Sequence, residues 1–243
     1  MNYAHILSAC REGEHLISMV SVEGIVRLGV DLGLNENCRV LDLGCGYGTM
    51  LKLWSEAFGL RGIGIDRDAE FIQKGTARLT NDRVDLRVGD LLAFDDNAAY
   101  DVVICTELSF SSDGNDTPFP DLAAGIGFLQ RFCKPGGKVV FGRLFSKIPA
   151  PPAELVAFDG ELPTLGELHR QITGCGYYIT AMATDTPAEW ERYITWSAKR
   201  DLARLRKDPN DRVLAEWMDT WYRIYFDYRR PYEGWGLFGV ERL

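Results

Sequence analysis

Short apolar runs alternate with stretches of helical periodicity through the early part of the chain, the pattern of βαβ units that feed a parallel sheet. Residues 15–33 read as a leading helix, with Leu16, Met19, Val20, Val26 and Val30 spaced for one buried face. A strand is expected at 38–43, then a helix from Thr49 to Phe58 that Gly59 is placed to end. A second strand at 62–66 precedes a helix near Asp68, whose side chain suits an N-cap. Residues 84–88 form a third strand. Residues 100–106 form a fourth, apolar enough to be covered on both faces. A helix at 118–133, stopped by Lys134-Pro135-Gly136-Gly137, leads to a fifth strand at 138–145 and then a loop rich in proline (Pro149, Pro151, Pro152).

The second half changes rhythm. A helix at 164–173 and a sixth strand at 177–183 continue the alternation. Two long helices follow, at 187–206 and 210–230, separated by Asp208-Pro209-Asn210, a turn that ends the first of them. Gly234 closes that block, and residues 235–243 read as a last strand. At 243 residues the chain suits one α/β domain over its full length, 1–243. That domain has a leading helical segment at 1–37 and a helical insertion at about 187–230, before the final strand.

The stretch richest in chemistry is Val40-Leu41-Asp42-Leu43-Gly44-Cys45-Gly46-Tyr47-Gly48-Thr49. A strand ends near an acid, and a glycine turn opens directly into a helix. Glycines let a ligand approach the backbone closely, and the carboxyl end of a strand is where open α/β sheets bind ligands. The dinucleotide fingerprint G-x-G-x-x-G would need its third glycine at Thr49, and Asp42 would sit badly beside a pyrophosphate. A carboxylate there suits a cationic or amino-bearing ligand.

On those residues the chain resembles the class I S-adenosylmethionine-dependent methyltransferases, and further motifs fall in that family's order. Gly62-Ile63-Gly64-Ile65-Asp66 resembles the second strand, whose terminal acid takes both ribose hydroxyls, with Arg67 beside it. Val88-Gly89-Asp90-Leu91 resembles the segment whose acid and following amide meet the adenine. Residues 100–107 resemble the fourth-strand motif that ends, at Thr106 and Glu107, beside the transferable methyl. Residues 132–140 resemble the turn into the fifth strand. The resemblance implies a Rossmann-like, seven-stranded, mostly parallel sheet with helices on both faces and an antiparallel final strand, and it makes the helical insertion a lid. It implies S-adenosylmethionine as cofactor, S-adenosylhomocysteine as product, and Asp42, Gly44, Cys45, Gly46, Asp66, Arg67, Asp90, Leu91 and Thr106 as cofactor contacts. A looser resemblance, carried by Glu189-Trp190-Glu191-Arg192-Tyr193 and Trp196, points to bacterial small-molecule methyltransferases with such an insertion.

Composition narrows the acceptor. A net charge of −8 argues against nucleic acid, which needs a clustered basic surface. The one basic stretch, 199–212, interleaves its Lys and Arg with Asp as a solvated helix face does. No apolar run is long enough to span a bilayer, and the N-terminus lacks a secretory pattern, so a cytoplasmic enzyme is expected. Six scattered cysteines argue against a disulfide framework, and three histidines with no ligand spacing give no metal motif. The methyl donor is already activated and requires no metal.

Glu107 and His15 are the candidate proton acceptors, ahead of His5 and His169. Trp217, Trp221, Tyr225 and Tyr228 recur at helical spacing, first of all a packing stripe. Some of them would line an apolar acceptor pocket or a homodimer contact. Two other readings stay open: the same fold running a non-methylating reaction, as a decarboxylase or cyclase, or a non-enzymatic protein that binds cofactor or partner.

Overall fold

The computed structural model describes residues 16–96, 99–106 and 119–242. In chain order the elements are α1 (Val22–Asp31), β1 (Arg39–Leu43), α2 (Thr49–Phe58), β2 (Arg61–Asp66), α3 (Ala69–Thr76), β3 (Val84–Val88) and β4 (Tyr100–Cys105). There follow α4 (Leu122–Gln130), β5 (Cys133–Ser146), α5 (Ala153–Asp159), α6 (Leu165–Gly174) and β6 (Tyr177–Thr184). The helices α7 (Pro187–Lys207) and α8 (Arg212–Ile224) come next, then a π turn (Tyr225–Arg229), a short helical turn α9 (Arg230–Tyr232) and β7 (Glu233–Arg242).

The seven strands form one sheet in the order β3-β2-β1-β4-β5-β7-β6. The first five pair in parallel, while β7 runs antiparallel to both β5 and β6. Alternating side chains feed two cores. Val40, Val102, Ile104 and Val140 join α1, α2 and the α7–α8 pair on one face, and Leu41, Val103, Phe141 and Phe238 join α4 and α6 on the other. Strand order reverses between β1 and β4, so a crevice opens at their carboxyl ends. Among the described residues, no helix is long and apolar enough to cross a membrane.

Several boundaries differ from the sequence expectation for physical reasons. The leading helix starts at Val22, because Ser21 caps it by accepting the Gly24 amide at 3.0 Å. Residues 16–20 are irregular, with the Leu16 and Ser18 carbonyls engaged by Arg192. The helix buries Ile25, Leu28 and Gly29 and leaves Val30 exposed. Asp121 caps α4, so that helix starts later than expected. β5 begins at Cys133, already paired with Tyr100, and carries the Lys-Pro-Gly-Gly turn within it as an irregularity, with Gly136 at φ 75°. The proline-rich loop contains α5, whose N-cap is Pro152, a residue suited to a helix start. The aromatic helix ends at Ile224 and widens into the π turn. Its buried positions include Leu214, Met218 and Tyr225, while Trp217 and Phe226 face outward.

Candidate functional site

The glycine turn between β1 and α2 is built by its neighbours. The amides of Gly44 and Cys45 both donate to the Ile65 carbonyl on β2, at 2.8 and 3.0 Å, which folds the turn across the end of that strand. Gly48, at φ 65°, is the N-cap of α2, a left-handed position that disfavours side chains. Gly44 lies at φ 83°, and a Cβ there would meet no atom within 4 Å. The backbone at Gly44 thus faces open space.

Two carboxylates flank the turn. Asp66, last residue of β2, accepts the Gly46 amide at 2.7 Å through Oδ2 and the Asp68 amide at 2.9 Å through Oδ1. Each oxygen keeps a second lone pair. Asp42 is only 2% exposed, and its Oδ1 is buried without a hydrogen-bond partner. Burial, and then the negative charge of Asp66, push the Asp42 carboxyl up to about 7. A buried carboxylate with no donor is costly, so the position calls for a cation or a strong donor. Cys45 is the reverse of a nucleophile: burial and then the two carboxylates push its thiol far above the ordinary range.

These residues line an open cleft at the carboxyl ends of β1 and β2. Asp42, Gly44, Cys45, Gly46, Asp66 and Thr106 line it, together with Tyr47, Thr49, Met50 and Phe71. Leu16, Ile17 and Ser18 also line it. The rings of Tyr47 and Phe71 meet at 4.5 Å between centroids. Six of the nine expected cofactor contacts are therefore brought together. Arg67, Asp90 and Leu91 are not part of that lining: Arg67 and Asp90 are exposed, Asp90 Oδ1 accepts the Leu92 amide at 2.9 Å, and Leu91 packs against the opposite core.

Of the proton-acceptor candidates, His15, Glu107 and His5 lie outside the described residues. His169 sits exposed on α6 and does not line the cleft. The Leu16–Ser18 wall escaped the sequence reading because periodicity placed those residues in a helix. Phe71 was hidden inside an amphipathic helix pattern. Among the described residues, no group of histidine, cysteine and acidic side chains is placed to hold a metal ion.

The site fits the cofactor that the motif order implies. The unpartnered Asp42 oxygen awaits a cationic or donor group, the space over Gly44 admits a ligand beside the backbone, and Asp66 retains acceptor capacity at the end of the next strand.

Comparison with known proteins agrees. Residues 40–137 match the model of a family described as a methyltransferase domain. The uncharacterized protein YjhP of Escherichia coli is 27% identical over 244 residues, covering 94% of this chain and 95% of its own length. An S-adenosylmethionine-dependent methyltransferase from Geobacter sulfurreducens, solved in complex with S-adenosylhomocysteine, superposes with a TM-score of 0.81 at 24% identity over 94% of each chain. A second, from Thiobacillus denitrificans with the same product, gives 0.82 at 23% identity over the full length of both. Residues 40–137 thus match a methyltransferase domain, and the chain as a whole shares the fold of the two methyltransferases solved with S-adenosylhomocysteine.

Proposed function

We propose that this chain methylates a small-molecule acceptor, with the cofactor held across the carboxyl ends of β1 and β2. The observation that carries the cofactor placement is the buried Asp42 oxygen that lacks a donor, on a residue that lines the cleft beside the glycine turn. When bound, S-adenosylmethionine supplies a methyl group already activated by its sulfonium.

The chain's own residues do the rest. Asp42 holds the amino end of the cofactor by charge, and the turn at Gly44, Cys45 and Gly46 supplies backbone contact. Asp66 takes the ribose hydroxyls with the oxygen capacity its two amide contacts leave. Asp90, Leu91 and Arg67 are assigned to the adenine end, and Thr106 to the methyl end. Glu107, next in sequence after Thr106, is the proposed proton acceptor, with His15 the second candidate. The α7–α8 pair is the proposed lid on the acceptor side, excluding water and fixing orientation. An acidic chain with an aromatic helical pair suits a compact acceptor better than a polyanion.

Methyl-tritiated S-adenosylmethionine, incubated with the enzyme and a cell extract split into low-mass, protein and nucleic-acid fractions, tests the acceptor class. Label in the low-mass fraction supports the proposal. Label confined to protein or nucleic acid contradicts it.

A further inference from the structure

The wall of the cleft at Leu16–Ser18 belongs to no helix or strand, yet two of its carbonyls are held by one side chain from the helical pair. Arg192, early in α7, donates from Nη1 to the Leu16 carbonyl at 3.0 Å and from Nη2 to the Ser18 carbonyl. Its Nε donates to Glu189 Oε2 at 2.6 Å, which braces the guanidinium from its own helix. A planar fork engaged on three nitrogens fixes orientation as well as distance, which an ammonium cannot do.

The same segment reaches the glycine turn from its other side. A Cβ on Gly46 would come within 3.3 Å of Ile17 Cδ1. Leu16, Met19 and Val20 share one hydrophobic cluster with Trp190 and Ile194 of α7 and with Tyr225 of the π turn. Arg230 pairs with Glu191 at 2.5 Å, so α7 is tied in turn to the end of the helical block. The segment is a wedge with the cofactor turn on one side and the helical pair on the other.

We propose that Arg192 is a positioning residue that couples the two sites: filling the cofactor cleft orders Leu16–Ser18, and through the Arg192 fork it orders α7 and the acceptor side. The coupling rests on the cofactor placement above. A ligand that contacts only the cleft then changes the stability of a helix outside it, because both share the wedge.

Hydrogen exchange with and without S-adenosylhomocysteine, on wild type, Arg192→Ala and Arg192→Lys, tests this. The ligand is expected to slow exchange at 42–50 and also at 187–200 in wild type. In Arg192→Ala it slows 42–50 alone, with affinity about tenfold weaker, within the ordinary range of coupling between sites. Arg192→Lys, which retains one donor group and the charge, gives partial protection of α7 and keeps the test alive if the alanine variant does not fold. The readout is the ligand-induced difference, which a purely structural role for Arg192 would leave unchanged. Equal protection of 187–200 in all three proteins, or wild-type protection at 42–50 that never reaches α7, would overturn the coupling. Absence of protection at 42–50 in wild type would instead remove the cofactor placement, and the coupling with it.

Discussion

Asp42 and Asp66 stand at the carboxyl ends of neighbouring parallel strands, but one carboxylate is satisfied and the other is not. Asp66 accepts two backbone amides, at 2.7 and 2.9 Å, while Asp42 keeps a buried oxygen with no donor and is pushed up to about 7. The glycine turn is thereby anchored by one acid and left charged, or protonated, at the other.

This asymmetry gives ligand binding a pH dependence of definite sign. Without ligand, Asp42 holds a proton below about 7, and an ammonium placed beside it favours the carboxylate. Binding of S-adenosylhomocysteine at about pH 6 should release close to one proton, and affinity should climb by up to about tenfold per unit until near 7. Calorimetry in buffers of different ionisation heat should give different apparent enthalpies for wild type and equal ones for Asp42→Asn. Stability of the free protein runs the other way. The folded state holds more protons than the unfolded chain between the ordinary carboxylate range and about 7, so this group's contribution falls as pH rises through that window.

Two glycine substitutions separate binding from folding. Gly44→Ala places a methyl in open space at φ 83°, so the chain should fold at a cost of about 1–2 kcal/mol while losing ligand affinity. In Gly75→Ala the new methyl runs into the Tyr47 carbonyl, backbone that cannot easily yield. That variant should lose about 1–3 kcal/mol of stability, read as a lower midpoint in urea unfolding.

Arg229 should be the most sensitive position outside the cleft. It is 1% exposed, pairs with Asp159 and with Glu233 at 2.9 Å, and lies 4.2 Å from the Trp221 ring centre. Arg229→Ala strands two acids in the interior and should cost about 3–5 kcal/mol, the usual penalty for breaking a buried pair. Glu233, pushed up by burial and then by the Asp159 charge, makes the cost larger at alkaline than at acid pH. Chemical denaturation at two pH values would show it.

Cys45 should resist alkylation in the native state. Its thiolate is opposed by burial and by both Asp42 and Asp66. Iodoacetamide labelling with peptide mapping should find it unmodified until the protein is unfolded, although it lines the open cleft.

The legible part of this protein was the part governed by local chemistry. The β1 glycine turn, the Asp68 cap, the helix from Thr49 to Phe58 with its Gly59 stop, and the Thr164 helix start all follow from short-range rules, and the structure bears them out. The family resemblance also carried the seven-stranded, mostly parallel sheet with its antiparallel final strand, which the structure shows. What escaped depends on distant partners. Leu16–Val20 has helical periodicity, but Arg192, far along the chain, takes its carbonyls. The stripe through Trp217 was expected to pack inward, yet the bend at the π turn and the Arg229 cluster settle which aromatics are buried. Asp90 and Leu91 carry the motif residues but stand outside the cleft lining, which sequence order alone does not show.

The most direct test is calorimetric titration of S-adenosylhomocysteine into wild type and into Asp66→Ala. Micromolar-order binding to wild type, weakened in the variant by roughly 1–3 kcal/mol from stranded hydrogen-bonding groups, is the predicted result. No binding to correctly folded wild type, or unchanged binding in Asp66→Ala, would contradict the placement of the cofactor across β1 and β2.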